Sequence, residues 1–232
     1  MSPGIDIKKC YLTRYLTKNW KKIITELDIF QKCYPHNKKI TITGTNGKST
    51  TCQMLYNIFR SQKIDVRLIG NIGKPPLQEK KIKKNTVFIV EASSYQISYN
   101  KFFRTDYAAI LNLSVDHLER HGNLNNYTKA KLKLIYEQEK NKYSFIEKNN
   151  PIINKHISNK NFKSKIKKIN YNKVDFFKRK IKNDYLLDKN NLNNIHFVYK
   201  ISKQLKIPNN TIFKSLNLFK GLKFRKQIIY DK

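Results

Sequence analysis

The stretch that decides the fold is Ile40-Thr41-Ile42-Thr43-Gly44-Thr45-Asn46-Gly47-Lys48-Ser49-Thr50. Its β-branched start predicts a short strand, and the apolar spacing from about Ser49 to Arg60 predicts a helix. Glycines between the two allow positive φ angles, so successive backbone N–H groups can turn towards phosphate oxygens. The helix N-terminus adds partial positive charge. The stretch therefore predicts a phosphate-binding loop, with Lys48 on the β- and γ-phosphates and Ser49 on Mg²⁺.

This loop is shorter than the usual phosphate loop, which has a glycine where this chain has Ile42. An ordinary strand-to-helix turn is the alternative, but Gly-Lys-Ser-Thr in this context favours phosphate binding. Farther along the chain, strands are predicted at 64–69, 87–90, 107–113 and 143–146, and a helix at about 126–139. Strands that alternate with helices predict an α/β fold, with a mostly parallel sheet flanked by helices.

The C-terminal part of the chain carries a weaker pattern. Residues 147–188 are rich in Lys and Asn, and we interpret them as weakly marked β structure and loops around a short apolar run at 166–169. Apolar residues at helical spacing predict one helix over 192–205 and another over 209–219, with Pro208 between them.

The composition is strongly basic, with 48 Lys and Arg against 16 Asp and Glu, a net charge of +32 over 232 residues. Lys, Asn and Ile are in excess, and all three have A/T-rich codons. The charge is also divided between the two parts of the chain, whereas a nucleic-acid-binding arm usually concentrates it. Genome bias therefore explains the charge better than a polyanion-binding surface, and nucleic acid is not expected to be a partner.

The three cysteines, Cys10, Cys33 and Cys52, form no C-x-x-C pair and no even framework. This pattern favours a reducing compartment and argues against a zinc site. The first thirty residues lack an apolar signal core, and no apolar run approaches the roughly 18 residues that span a bilayer. We therefore expect a cytoplasmic protein without a membrane partner.

Three polar side chains follow predicted strands and should meet at the carboxyl edge of a parallel sheet. Glu91 ends the run 87–90 and would hold a metal there, although a solvated strand end is the alternative. Ser93 could bind substrate or cap the next helix. His117 follows the fourth strand; it is either a metal or phosphate ligand or a packed histidine.

Lys131 is a less obvious candidate. On the predicted helix it shares one face with Tyr127, Leu134 and Ile135, whereas Lys129 and Lys133 point elsewhere. A lysine in such an apolar stripe usually extends its amine to water. The alternative is that this lysine has a functional role.

Together these motifs resemble the central ATP-binding domain of the Mur ligases, which extend the peptide of peptidoglycan. The family's shortened loop, G-T-x-G-K-[ST], matches residues 44–49. Glu91-Ala92-Ser93-Ser94-Tyr95-Gln96 and Gly70-Asn71-Ile72-Gly73 are most similar to the branch that joins D-glutamate to UDP-N-acetylmuramoyl-L-alanine. Similarity continues at Asn112, 116–117 and 130–132. It is strong over 40–140 and weak over 147–188.

The resemblance implies ATP and two Mg²⁺ ions as cofactors. Nucleotide-binding residues would be Gly44, Thr45, Asn46, Gly47, Lys48, Ser49, Thr50, Asn191, Asn194 and Arg225. Catalytic residues would be Lys48, Glu91, His117 and Lys131; metal ligands would be Ser49, Glu91, His117 and Lys131, the last carrying a carbamate on its amine. Asn71, Ser93 and His117 would bind the muramoyl substrate. Near Asn191 and Arg225 the family's flanking Gly, His and Pro are replaced.

The implied reaction transfers a phosphoryl group from ATP to the substrate carboxylate, and the amine of D-glutamate attacks the resulting acyl phosphate. The matching segments begin and end within domains of the family. We therefore expect residues 1–36 to be the remnant of a UDP-binding domain and linker, 37–226 the ATP-binding domain, and 227–232 the start of a C-terminal domain. Such a fragment is expected to be inactive alone, and a complementing chain would be its partner if the gene is split.

Two other interpretations remain open. A folylpolyglutamate synthase has a similar loop, but it usually has Gly-Ser after the lysine, where this chain has Ser49-Thr50. A non-enzymatic, basic module that binds ATP or nucleic acid is the second alternative. It would bind nucleic acid at physiological salt and would not turn over ATP.

Overall fold

The computed structural model describes residues 4–116, 118–158 and 160–222, and its centre is a six-stranded sheet. The strand order is β2-β3-β1-β4-β5-β6, and all neighbouring strands run parallel. The strands are β1 Lys39–Thr43, β2 Val66–Gly70, β3 Val87–Glu91, β4 Tyr107–Ile110, β5 Tyr143–Glu147 and β6 Lys165–Ile169. All carboxyl ends therefore lie at one edge, where β1 leads into the predicted phosphate loop.

Helices cover both faces of this sheet. They are α1 Thr13–Lys18, α2 Glu26–Cys33, α3 Lys48–Ser61, α4 Ser94–Tyr99, α5 Leu118–His121, α6 Leu124–Tyr136, α7 Pro151–Ile157, α8 Val174–Lys180, α9 Lys189–Gln204 and α10 Asn209–Asn217. Helices α3, α8, α9 and α10 pack on one face, and α2, α4, α6 and α7 on the other. The predicted α/β fold with a parallel, doubly covered sheet is confirmed.

The two apolar cores follow from the alternation of side chains along each strand. In β3, Ile89 contributes to the core under α3, whereas Phe88 and Val90 contribute to the core under α2 and α6. Every residue of β1 and β3 is buried. Strands buried on both faces become continuous apolar or β-branched runs, which is why these two were readable from the sequence.

The interpretation of residues 147–188 was wrong in part. Strand β6 is present, but helices α7 and α8 stand where loops and β structure were expected. Each has seven residues, too few to show a helical period among exposed lysines. Helix α7 begins with Pro151, and the Asn150 side chain accepts a hydrogen bond from the Ile153 N–H at 3.1 Å.

The fourth strand is also shorter than predicted. Strand β4 ends at Ile110 rather than at residue 113. Beyond the end of the strand, the chain forms hydrogen bonds with the loop after β1. Asn112 accepts hydrogen bonds from that loop through its backbone oxygen and its side chain. The strand therefore ends where contacts with the site begin.

Helix α2 attaches the N-terminal residues to the sheet. Thr25 and Asp28 form a reciprocal capping box at its start, and Leu27 and Phe30 are buried against the sheet. The Asp28 carboxylate also accepts hydrogen bonds from the backbone N–H groups of Lys101 and Phe102, both at 2.7 Å. Residues 26–33 therefore share the core of the rest of the described chain.

Candidate functional site

The loop between β1 and α3 has the backbone of a phosphate cradle. Gly44 and Gly47 have φ angles of +155° and +81°, both in the region that favours glycine. Gly47 is the N-cap of α3, so the first N–H groups of a 14-residue helix open onto the loop. Lys48 Nζ donates to the carbonyl oxygens of Gly44, at 3.1 Å, and Thr45, at 2.8 Å.

Asn112, just beyond β4, holds the loop in this shape. Its backbone oxygen accepts from the Thr45 N–H at 3.0 Å, and its Oδ1 accepts from the Asn46 N–H at 2.9 Å. Its Nδ2 donates to the Asn46 oxygen at 3.2 Å. The motif comparison noted Asn112 but gave it no role. Its position one strand beyond β1, at the carboxyl edge, was the available signal.

Ser49 and Thr50 lie in the first turn of α3, immediately after Lys48. Both are buried. Thr45 lies across the loop from them, and its hydroxyl is 3.1 Å from the hydroxyl of Tyr127 on α6. Side-chain hydroxyls are therefore present both in the loop and in the first turn of α3.

Lys131 lies under the loop rather than in solvent. It is 2% exposed, and its Nζ donates to the Gly44 oxygen at 2.9 Å. The Tyr127 ring centroid is 4.8 Å from the same nitrogen. Burial, with Lys48 as a smaller cause, lowers the pKa of Lys131 to about 7. The predicted helix face is confirmed, since Tyr127, Leu134 and Ile135 are buried with it.

Glu91 ends β3 beside β1, paired with Ile42, and is 4% exposed. The negative charge of Glu91 shifts the pKa values of two neighbouring side chains. Burial and, secondarily, Glu91 raise the pKa of the Cys52 thiol well above its ordinary value, and the same carboxylate favours the charged form of Lys131. Glu91, Lys131 and the loop thus share one corner of the sheet edge.

Asn71 approaches the same edge from β2. Its N–H donates to the Glu91 backbone oxygen at 3.1 Å, and its side chain is exposed. A Cβ on the preceding Gly70 would lie 2.2 Å from that oxygen. Glycine at this position therefore allows the turn that presents Asn71 beside the end of β3.

Ser93 caps helix α4. Its hydroxyl accepts from the Gln96 N–H at 3.2 Å, and the Gln96 side chain accepts from the Ser93 N–H at 2.9 Å. The capping alternative is therefore realised in this structure. Ser94 is 2.9 Å from His121 Nε2, and that ring stacks on Tyr95 at 5.4 Å. His121 was missed because nothing in its spacing along the chain points to the serines.

Asn191 and Asn194 project from α9 towards the phosphate loop. They line a cleft of about 300 Å³ with Asn46, Gly47, Thr50 and Asn112. Asn191 Nδ2 donates to the Tyr185 oxygen at 2.7 Å, and a Cβ on Gly47 would lie 2.2 Å from Asn194 Oδ1. The structure therefore brings these two predicted residues to the loop, 140 positions earlier in the chain. His117 and Arg225 lie outside the described residues.

The matching family model describes the middle domain of Mur ligases and covers residues 42–217. The chain belongs to the Mur ligase family. That match includes the phosphate loop, Glu91, Lys131 and the asparagines of α9.

Two curated relatives of this Mur ligase chain carry the same name. This chain is 33% identical over 224 residues to the UDP-N-acetylmuramoylalanine–D-glutamate ligase of Rickettsia prowazekii, and the match covers 89% of this chain and 50% of that protein. This chain is also 33% identical over 153 residues to the ligase of the same name from Caldicellulosiruptor saccharolyticus, and the match covers 66% of this chain and 34% of that protein. The chain spans about half the length of the first of these relatives.

Solved structures of the Mur ligase fold align with most of the described chain. A UDP-N-acetylmuramate:L-alanyl-gamma-D-glutamyl-meso-diaminopimelate ligase from Neisseria meningitides has a TM-score of 0.66 at 16% identity, covering 85% of this chain and 71% of its own. FolC of E. coli, in complex with DHPP and ADP, has a TM-score of 0.59 at 12% identity, and the alignment covers 100% of this chain and 70% of that chain. At these identities the likeness establishes the fold.

Two further observations bear on the kind of site this is. Within residues 4–116, 118–158 and 160–222, no helix is both long and apolar enough to cross a bilayer. In the same ranges, no three His, Cys, Asp or Glu side chains are grouped as a metal centre.

Proposed function

We propose that this chain provides the ATP-dependent step of a ligase that joins UDP-N-acetylmuramoyl-L-alanine to D-glutamate in peptidoglycan biosynthesis. One observation carries the proposal: Lys48, Glu91 and Lys131, far apart in sequence, lie at one corner of the sheet edge around a glycine-containing loop. The name shared by the curated relatives supports the choice of substrates. Such a reaction takes place in the cytoplasm, where its nucleotide-linked substrates are found.

The residues present fit ATP with Mg²⁺. Because Gly47 carries no side chain, Asn194 of α9 lies directly against the N-terminus of α3, and the cleft that both line is open beside them. Loop residues 44–47 and Lys48 would hold the phosphates, and Asn191 and Asn194 the adenine side, together with Arg225. Ser49 and Glu91 would hold one Mg²⁺ and Thr50 would complete the cradle. Bound Mg²⁺ would supply positive charge opposite the transferring phosphoryl group.

Lys131 and His117 would hold a second Mg²⁺. A lysine ammonium cannot ligate a cation, but a carbamate on its amine supplies oxygen ligands. The low pKa of Lys131, about 7, leaves a neutral fraction of the amine, which is the form that reacts with carbon dioxide. Its burial beside the Gly44 oxygen would then place the modified side chain under the phosphate loop.

The chain's own residues then act on charge and position. Lys48 leaves the carbonyl oxygens of Gly44 and Thr45 and reaches the phosphates, where it offsets repulsion between the γ-phosphoryl group and the approaching carboxylate. Asn71 and Ser93 hold the muramoyl substrate at the end of β3. The carboxylate oxygen bonds to phosphorus as ADP leaves; the D-glutamate amine then displaces phosphate from the acyl phosphate.

The direct test is nucleotide binding by the 232-residue chain. Lys48→Ala should weaken binding of ATP with Mg²⁺ at least tenfold, because a charge-assisted contact to phosphate is lost. Lys129→Ala is the matched control, since Lys129 is an exposed lysine on α6. Isothermal titration calorimetry measures both. Equal affinity of the two variants would contradict the proposed role of the loop.

Substrate choice is tested by phosphate release from ATP. Release that requires both UDP-N-acetylmuramoyl-L-alanine and D-glutamate supports the proposal. Release with dihydrofolate and L-glutamate instead would favour the folylpolyglutamate synthase alternative, whose structural likeness at 12% identity concerns the fold alone. Since a fragment is expected to be inactive alone, ATP binding without release favours a nucleotide-binding module only when the chain also binds nucleic acid at physiological salt.

A further inference from the structure

His121 joins the one-turn helix α5 to two neighbouring helices. Its Nε2 lies 2.9 Å from the Ser94 hydroxyl, and its ring stacks on Tyr95 with the ring centroids 5.4 Å apart. Both of these partners are on α4. Tyr127 of α6 meets the same ring edge to face, also at 5.4 Å. The imidazole therefore touches both helices, although the proposed phosphoryl transfer gives it no role.

The partners of this imidazole are firmly placed. Ser94 is 1% exposed, and Tyr127 is fully buried. Helix α4 is capped through the Ser93 side chain, and its Ile97 belongs to the core that α6 also lines. The position of the imidazole is therefore set by the packed part of the fold.

Helix α5 has little of its own to hold its direction. It comprises only Leu118–His121, with no buried residue, and a single helical turn is unstable without tertiary contacts. Its side chains provide those contacts, because the guanidinium of Arg120 lies 4.3 Å from the centroid of the same Tyr95 ring on which His121 stacks. Consecutive residues of α5 therefore hold it against one tyrosine of α4.

The residues just before α5 lie in the candidate site. The Ser114 N–H donates to the hydroxyl of Thr45, in the phosphate loop, at 3.1 Å. Burial lowers the pKa of Lys131, and the Asp116 carboxylate partly offsets that lowering, so this carboxylate lies close to the buried amine. Residues 114–121 are thus attached to the phosphate loop at one end and to α4 at the other, with Asp116 between the two attachments.

We propose that His121 is a positioning residue for the nucleotide reaction. Its hydrogen bond and its ring stack on α4 set the direction of α5 and thereby the place of Asp116 beside Lys131, from which the adjoining His117 would reach a metal. His121 acts through this segment and supplies no ligand of its own. The effect on the metal rests on the proposed function, whereas the attachment of α5 does not.

The attachment is measured by amide hydrogen exchange in the 232-residue chain, without any ligand. His121→Ala removes both the hydrogen bond and the stack. The Gly122 N–H, which donates to the Leu118 oxygen across α5 at 2.7 Å, should then exchange about tenfold faster. His121→Phe keeps a ring against Tyr95 and should show a smaller increase.

Two controls accompany this measurement. His36→Ala changes an exposed histidine outside the site and should leave exchange of the Gly122 N–H as it is. Exchange over β1 should be equal in all variants, which shows that each of them folds. Exchange of the Gly122 N–H at the parent rate in His121→Ala would overturn the proposal.

The effect on the site is measured as the gain in ATP affinity that Mg²⁺ provides, by calorimetry with Mg²⁺ and with EDTA. In His121→Ala this gain should fall about tenfold, and His121→Phe should recover part of it. The metal-free affinity should change less than about twofold, because Lys48 and the loop stay in place.

The outcomes separate this inference from the proposed function. An unchanged gain from Mg²⁺ in His121→Ala, or equal losses with and without the metal, would overturn the positioning role. If the parent chain binds no ATP at all, the proposed function fails, and exchange of the Gly122 N–H alone decides whether His121 positions α5.

Discussion

Gly47 is the residue at which the two sides of the nucleotide cleft touch. A Cβ there would lie 2.2 Å from Asn194 Oδ1, so the loop and α9 approach as closely as they do because this residue has no side chain. Its φ of +81° adds a second reason for glycine. The two reasons can be separated, because Gly122 has nearly the same φ, +79°, and open space around the position of its Cβ.

Gly47→Ala should destabilise the fold more than Gly122→Ala. Both variants incur the strain of a left-handed alanine, about 1–2 kcal/mol. Only Gly47→Ala adds the overlap with Asn194, which should cost about 1–3 kcal/mol more in the free energy of unfolding, measured with urea. Adding Asn194→Ala should restore that extra loss. Equal losses for the two alanine variants would mean that the contact does not hold the cleft together.

The sequence predicted those residues of the candidate site that directly follow a predicted strand or begin the next helix. Glu91 ends β3, and Lys48 and Ser49 begin the helix that follows β1, so their placement follows from the order of strands and helices alone. The role of Asn112 could not be read in this way. Its hydrogen bonds to the loop join positions 66 residues apart, and only the pairing of β1 with β4 brings them together.

Among the helices, α2 has its N-terminal cap and its contacts with the segment after α4 on the same carboxylate. Asp28 caps its own helix through Thr25 and also accepts from the backbone of the segment after α4. Burial raises its pKa, but the hydrogen bonds from Phe102, Lys101 and Thr25 together outweigh burial, and the net pKa is lowered. The Asp28 side chain therefore joins α2 to the segment that follows α4.

Asp28→Ala should lower the free energy of unfolding by about 3 kcal/mol, because several buried N–H groups lose a charged acceptor. Glu26→Ala, in the same first turn but partly exposed, should cost less than about 1 kcal/mol. Since the folded pKa of Asp28 is lowered, its contribution is present above the unfolded value of 3.8 and lost as the pH falls through the folded value. Urea denaturation of the parent and Asp28→Ala chains should converge in acid; a gap independent of pH would argue against the carboxylate.

Element prediction succeeded where burial imposed a pattern and failed where it did not. Strands β1 and β3, covered on both faces, show continuous β-branched and apolar runs. Helices α7 and α8 are short and face solvent on one side, and each has at most two buried residues. So few apolar positions do not define a helical period, and only the cap at Asn150 and the following Pro151 indicated a helix start.

At the scale of the whole molecule, a net charge of +32 must be confined within one small fold. The positive charges repel one another, and salt reduces that repulsion: the Debye length falls from about 10 Å at 0.1 M to about 3 Å at 1 M. The ion pairs Arg67–Asp65, Arg104–Glu137 and Lys142–Asp106 are partly exposed, so screening them loses little.

The urea midpoint of unfolding should therefore rise as sodium chloride is increased from 0.1 M to 1 M. Potassium chloride should have the same effect, because screening depends on ionic strength. A midpoint that falls with salt would indicate that attractive pairs outweigh the repulsion.

The position of β1 in the sheet has a consequence for how the chain folds. β1 comes first among the strands in sequence but lies in the interior of the sheet, where Ile40 aligns with Ile89 on one side and Tyr107 on the other. During synthesis its backbone groups have no partner strand on one side until residue 91 has been made, and none on the other side until residue 110 has been made. Pairings of such sequence separation are slow to close. The phosphate loop is therefore synthesised before both strands that flank β1. A ribosome-bound chain should gain protease resistance only after residue 110 has emerged.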